Sequence, residues 1–168
     1  NAGCIAARKL IAAGRKKFLF IWGLKDISSS VERFNGFRDE LSKNGIELPS
    51  ARQIEGNFDP EFTYNMISKT DLPEFDGVFA SNDYSASGFI KAAAAKGRLS
   101  PRDYSIIGFD NNPVSPFLTP SLSTFSQPLR ELGKIAATKL LALLAGKETE
   151  KVSILKPQYI ERGSVFFE

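Results

Sequence analysis

The chain has 168 residues and a mass of 18.5 kDa, with 42% hydrophobic and 24% charged residues, the composition of a folded domain and not of a disordered segment. It contains no histidine and one cysteine, which excludes a histidine-based catalytic triad, a histidine metal ligand, an internal disulfide and a cysteine-cluster zinc site. The net charge of +3 gives no strong case for nucleic-acid binding by this segment, and no apolar run approaches the roughly 20 residues that cross a bilayer. The start at Asn1, without Met or a visible signal peptide, reads as a piece of a longer protein.

A first helix is predicted over about 2–13, stopped by Gly14, a residue type that accepts the left-handed conformation at a helix end. Cys4 lies in it and reads as an inert buried thiol. Arg8, Lys9, Arg15, Lys16 and Lys17 read as a solvated helix face and its C-terminal end. Phe18 to Trp22 is apolar at every position and predicts a strand buried on both faces. Ser28–Ser30 offer N-caps for a helix from Val31 to Asn44, with Phe34, Phe37 and Leu41 at spacings of three and four. A short strand follows near Arg52–Glu55. Asp59-Pro60 predicts the next helix start, with a capping side chain and then a proline at the first helical position.

Gly77 to Ala80 is a further buried strand, and a helix from about Tyr84 to Lys96 follows it. Tyr104 to Phe109 and Leu122 to Phe125 predict two more strands, separated by a Pro- and Asn-rich loop with one helical turn. A long helix spans Leu129 to Ala145, with Leu132, Ile135, Ala136, Leu140 and Leu143 on one side. A last strand, Ile154–Ile160, contains Pro157 and so belongs at a sheet edge. Strands alternating with helices predict an α/β fold with a mostly parallel sheet covered by helices on both faces.

Ligands of such a sheet bind beyond the C-terminal strand ends. Those ends carry Lys25 and the three serines, Asn57-Phe58-Asp59, Ser81-Asn82-Asp83, Asp110-Asn111-Asn112 and Gln127. Carboxylates accept hydroxyl hydrogens, amides donate and accept, and an aromatic face packs on a sugar or base ring, so the set suits a neutral, hydroxyl-rich ligand. Each residue has a plainer reading: Asn82 or Asp83 as a helix cap, Asp110–Asn112 as turn chemistry, Phe58 as core. No dinucleotide, phosphate-loop or nucleophile-elbow motif is present, so an enzyme is not indicated.

Four stretches, Arg33–Phe37, Phe79–Gly88, Asp103–Asn111 and Thr119–Pro128, together with the ending Ile160–Ser164, resemble the lactose/galactose repressor (LacI/GalR) family of bacterial transcription regulators in order and spacing. The resemblance implies a periplasmic-binding-protein-like lobe: residues 1–126 as the C-terminal lobe of an effector-binding domain, 127–152 as a crossover helix region that packs on an N-terminal lobe, and 153–168 as a returning strand and tail. It implies a cytoplasmic homodimer with no cofactor or metal. Its operator DNA is held by a helix-turn-helix upstream of this segment, and a small sugar-like effector controls that binding. Arg33, Phe58, Asn82, Asp110, Gln127, Ser29 and Ser30 match the family's effector-contacting positions. Ile27 stands where the purine-responsive members carry an arginine, which disfavours a purine. Lys25 allows a phosphorylated sugar. A periplasmic sugar-binding protein of a transporter shares the architecture and is the alternative.

Overall fold

A computed structural model describes residues 2–166. The order is α1 (Ala2–Ala12), β1 (Phe18–Trp22), α2 (Ser28–Lys43), β2 (Gln53–Glu55), α3 (Pro60–Lys69), β3 (Gly77–Ala80), α4 (Asp83–Ala95), β4 (Ser105–Ile107), β5 (Thr124–Ser126), α5 (Leu129–Leu144) and β6 (Gln158–Ile160), with 3-10 turns at Ser50–Arg52 and Ser115–Phe117. Strands β2-β1-β3-β4 form a parallel sheet in that spatial order. The Gly108 N–H donates to the Ser123 carbonyl and the Asp110 N–H to the Phe125 carbonyl, so β5 lies beside β4. Strand β6 pairs antiparallel with β5.

The two-residue period of β1 divides the core. Phe18, Phe20 and Trp22 point to one face and Leu19 and Ile21 to the other. On the first face an aromatic layer joins Phe20, Phe34, Phe37, Phe79 and Phe125, covered by α1 and α2. On the second, Val78, Phe89, Tyr104 and Ile106 pack under α3 and α4. Both faces are therefore buried, as continuous apolar strands require.

Several local expectations change. The serines do not precede α2: its N-cap is Ile27, without a side-chain bond, and Ser28–Ser30 form the first turn. β4, β5 and β6 are each shorter than the strands expected there, β5 extends to Ser126, and Pro157 lies just outside β6, which keeps the strand's N–H groups intact. Cys4 is half-buried, not core, and its thiol donates to Glu40 Oε2 at 3.0 Å. Burial, the Glu40 hydrogen bond and the Glu40 charge hold that thiol above its ordinary pKa. The basic cluster is engaged rather than merely solvated: Arg8 meets Glu40 at 2.6 Å, Lys9 Glu161, Lys17 Glu74, and Arg15 Ser105 and the Pro101 carbonyl. No residue of α5 is buried, and Leu132, Leu140, Leu141, Leu143 and Leu144 are exposed on it.

Candidate functional site

The C-terminal strand ends line up as the sheet order dictates. From β2 comes the loop 56–59. Asn57 and Phe58 both take positive φ, 54° and 57°, unusual for a bulky aromatic. This turns the Phe58 ring onto Gly23 at the end of β1. A Cβ at Gly23 would lie 2.6 Å from ring atom Cε2, with other ring atoms nearer, so only glycine leaves room for the ring there.

Asn82 follows β3 and is almost fully buried. Its Oδ1 accepts from the Ser85 N–H at 2.9 Å, capping α4, and its Nδ2 donates to the Phe58 carbonyl at 3.3 Å. The plain reading as a cap holds: the amide caps the helix with one end and fixes the Phe58 loop with the other. Ser85 Oγ adds a bond to the Gly56 carbonyl at 3.3 Å.

Arg33 reaches in from the second turn of α2. Its Nη1 donates to the Ser81 carbonyl at 3.0 Å, and the guanidinium lies 3.7 Å from the Phe109 ring centroid, within cation–π range. Burial pulls the guanidinium pKa down from its ordinary value, while the Asp110 charge pulls it back up. Asp110 leaves β4 at φ 106° and accepts from Gln127 Nε2 at 2.7 Å. Burial raises the Asp110 pKa; the Gln127 bond and the Arg33 charge oppose the rise.

Phe58, Asn82, Arg33, Asp110 and Gln127 therefore form one arc along a single sheet edge, linked by Ser81 and Phe109. Ser29 is half-buried at its rim. It shares a hollow of about 410 Å³ with Arg33, Phe109 and residues 154–157 of the segment leading into β6. Ser30 lies beneath, fully buried on the core face of α2, with its hydroxyl unpaired among the described residues. Lys25 is paired with Glu55 at 2.7 Å, which compensates the charge a phosphorylated ligand would need. No group of three or more His, Cys, Asp or Glu side chains that could hold a metal is present among the described residues.

Phe109 was not singled out from sequence, and Asp83 was read only as a polar strand-end residue or helix cap. Phe109 reads as a strand residue by its apolar neighbours, and only the arginine stacked on it reveals a second use. The signal for Asp83 was its place directly after a capping Asn, where a fully buried acid needs donors.

Residues 7–165 match the family model described as periplasmic binding protein-like domain. The chain is 33% identical over 170 aligned residues to the HTH-type transcriptional repressor PurR of Mannheimia succiniciproducens, covering 98% of this chain and 50% of that protein. It thus spans about half the length of the curated relatives it matches. Among solved structures it is similar to a LacI-family sugar-binding transcriptional regulator from Escherichia coli complexed with phosphate, with 28% identity and TM-score 0.88 over 99% of this chain and 60% of that one. It is equally similar to the transcriptional regulator CelR in complex with cellobiose, with 28% identity and TM-score 0.89 over 96% and 50%. These relatives are regulators and not transport proteins, so the transporter alternative is not favoured. The chain belongs to the periplasmic binding protein-like domain family, and the relatives it matches there are HTH-type repressors and LacI-family regulators.

Proposed function

We propose that this chain is the effector-sensing half of a LacI-type transcriptional regulator: it binds a small sugar or sugar derivative and transforms nothing. The observation that carries the reading is the pairing of opposite, partly desolvated charges on one rim. Arg33 is held by the Ser81 carbonyl and the Phe109 ring, and Asp110 by Gln127. A neutral ligand with several hydroxyls satisfies both at once, by donating to Asp110 and accepting from Arg33. Phe58, braced on Gly23, supplies the apolar platform for the ring face. The likeness to the regulator complexed with cellobiose supports a sugar.

In the whole protein an upstream helix-turn-helix holds operator DNA in the cytoplasm, and effector binding shifts the balance between two lobe arrangements with different operator affinity. The lobe pairs with a second copy through α4 and the loop 113–120. On that loop Phe117 is 85% exposed, an apolar ring open to a partner. The exposed leucines of α5 pack on the other lobe.

The experiment uses the full-length protein. A thermal-shift panel of mono- and disaccharides that includes cellobiose is expected to give at least one sugar that raises Tm by mass action. Asp110→Ala is then expected to abolish that shift while operator binding in a gel-shift assay stays intact. Calorimetry showing unchanged affinity for that sugar in Asp110→Ala would remove Asp110 from the site.

A further inference from the structure

We infer that Asp83, a buried carboxylate with no ligand role in the reading above, is the positioning residue that holds Asp110 and the loop after it in their bound-ready shape. The inference rests on that reading for its functional consequence, but its geometry stands alone.

Asp83 is the first residue of α4 and is fully buried. Its own N–H donates to the Phe109 carbonyl at 2.9 Å. Its Oδ2 accepts from the Asn112 N–H at 2.8 Å and from Ser115 Oγ at 2.6 Å, and its Oδ1 accepts from Thr124 Oγ1 at 2.6 Å. These bonds grip the chain on both sides of Asp110-Asn111. Both of those residues sit at positive φ, 106° and 55°, and neither is glycine. Backbone of this kind persists only where the surroundings over-determine it: Asp83 fixes the residues that flank the pair, while Arg162 Nη2 donates to Asn111 Oδ1 at 2.6 Å and the Asp110 N–H donates to the Phe125 carbonyl at 2.9 Å. Gly108 makes room for it: a Cβ there would lie 2.9 Å from Leu122 Cδ2 and nearer still to Asp83 Oδ1.

The same carboxylate reaches outward. Ser115 opens the 3-10 turn that ends at the exposed Phe117. One buried group therefore ties the carboxylate at the ligand rim to the apolar tip proposed to meet a second copy. Its side chain accepts from one backbone N–H and two hydroxyls, a pattern an ionised carboxylate satisfies; burial opposes that charge and the three bonds favour it. Alanine at 83 releases all three. Asparagine keeps them if the Thr124 hydroxyl turns to accept from the new amide.

The test is hydrogen exchange, read by mass spectrometry on the full-length protein, of the amides in 109–117. Several of these are protected here: Asp110 by Phe125, Asn112 by Asp83, Ser115 by Asn112 and Phe117 by Val114. In Asp83→Ala their exchange is expected to rise at least 10-fold while α1 and α2 keep their protection; Asp83→Asn is expected to stay within about 3-fold of the parent. If Asp83→Ala fails to fold, the double variant Ser115→Ala with Thr124→Val removes two of the three donors without burying a cavity at 83, and the same local rise is expected. Exchange that is unchanged in 109–117, or that rises equally throughout the chain, overturns the inference. A sugar from the thermal-shift panel adds the functional arm: Asp83→Ala is expected to weaken it at least 10-fold without touching it. If no sugar binds the parent, the proposed function fails while the exchange result still decides the role of Asp83.

Discussion

Gly88 tests how tightly the site is coupled to the helix packing beneath it. Gly88 sits inside α4, where alanine is favoured over glycine by about 1 kcal/mol from backbone entropy alone. The structure predicts the opposite sign. A Cβ on Gly88 would lie 2.9 Å from the Pro60 carbonyl carbon and 3.1 Å from its Cα, with the carbonyl oxygen nearer still. These are backbone atoms of the first residue of α3 and cannot rotate away, so the helices must part by about 1 Å to restore ordinary contact with the carbonyl oxygen. Overpacking of this kind costs about 1–3 kcal/mol, and backbone against backbone belongs at the upper end. After the propensity gain the net loss is about 1–2 kcal/mol. Urea unfolding followed by Trp22 fluorescence reads this directly, since Trp22 is the only tryptophan and is buried. With a slope of about 2 kcal/mol/M, the midpoint falls by about 0.5–1 M. Gly133→Ala in α5 is the control: nothing lies within 4 Å of its Cβ, so the same substitution raises the midpoint. Gly88→Ala raising the midpoint as Gly133→Ala does would refute the close approach of α3 to α4. The shift also moves the loop 56–59, because Pro60 follows it and α4 holds it through Asn82 and Ser85.

Two further predictions concern the core and the acid limb of stability. Phe79 is fully buried against Phe20, Phe37 and Phe125, so Phe79→Ala is expected to cost about 3–5 kcal/mol in urea unfolding, at the cavity-forming end of substitutions. Glu40 is held at about 2, below its ordinary 4.5, first by the Arg8 hydrogen bond and then by the Cys4 thiol. A carboxyl with a depressed folded pKa contributes stability that is present above its unfolded value and lost as pH falls through the folded one. Parent Tm is therefore expected to drop between about pH 4.5 and pH 2, and Glu40→Gln is expected to start lower at pH 7 and drop less across that window; parallel curves would contradict the assignment.

How much of this was legible in the sequence depends on range. The buried strands at Phe18–Trp22 and Gly77–Ala80 and the helix start at Asp59-Pro60 follow from local chemistry, and the structure has all three at the expected residues. The helix of Ser28–Lys43 does not begin where its serines suggest. Ser30 is drawn into the buried face with Phe34, Phe37 and Leu41 and lies inside the first turn, where its own N–H donates to the Ile27 carbonyl at 3.0 Å. Asn82 illustrates a different limit. Its spacing announces a cap, and it is one, but nothing local announces that its other end holds Phe58, 24 residues earlier. The strand ends that carry Asp110 and Gln127 were readable one by one. Their bond was not, because it depends on β5 lying beside β4, which no periodicity encodes.

That bond also bears on how a ligand would be felt beyond the rim. Gln127 is the last side chain tied to the strand ends before the chain departs into α5, a helix with no buried residue and a run of exposed leucines. On the proposed reading, a ligand hydroxyl that donates to Asp110 enters the coordination already occupied by the Gln127 amide. A carboxylate has room for both donors, so the ligand need not displace Gln127 but must settle the geometry of its bond. Any change there is passed to the start of α5 and so to whatever packs on the leucines. Arg33 offers no such route, because the Ser81 carbonyl and the Phe109 ring fix it to the body of the lobe. On the proposed reading the two charges divide the work: Arg33 anchors the ligand to the rigid sheet, and Asp110 connects it to the segment that leaves.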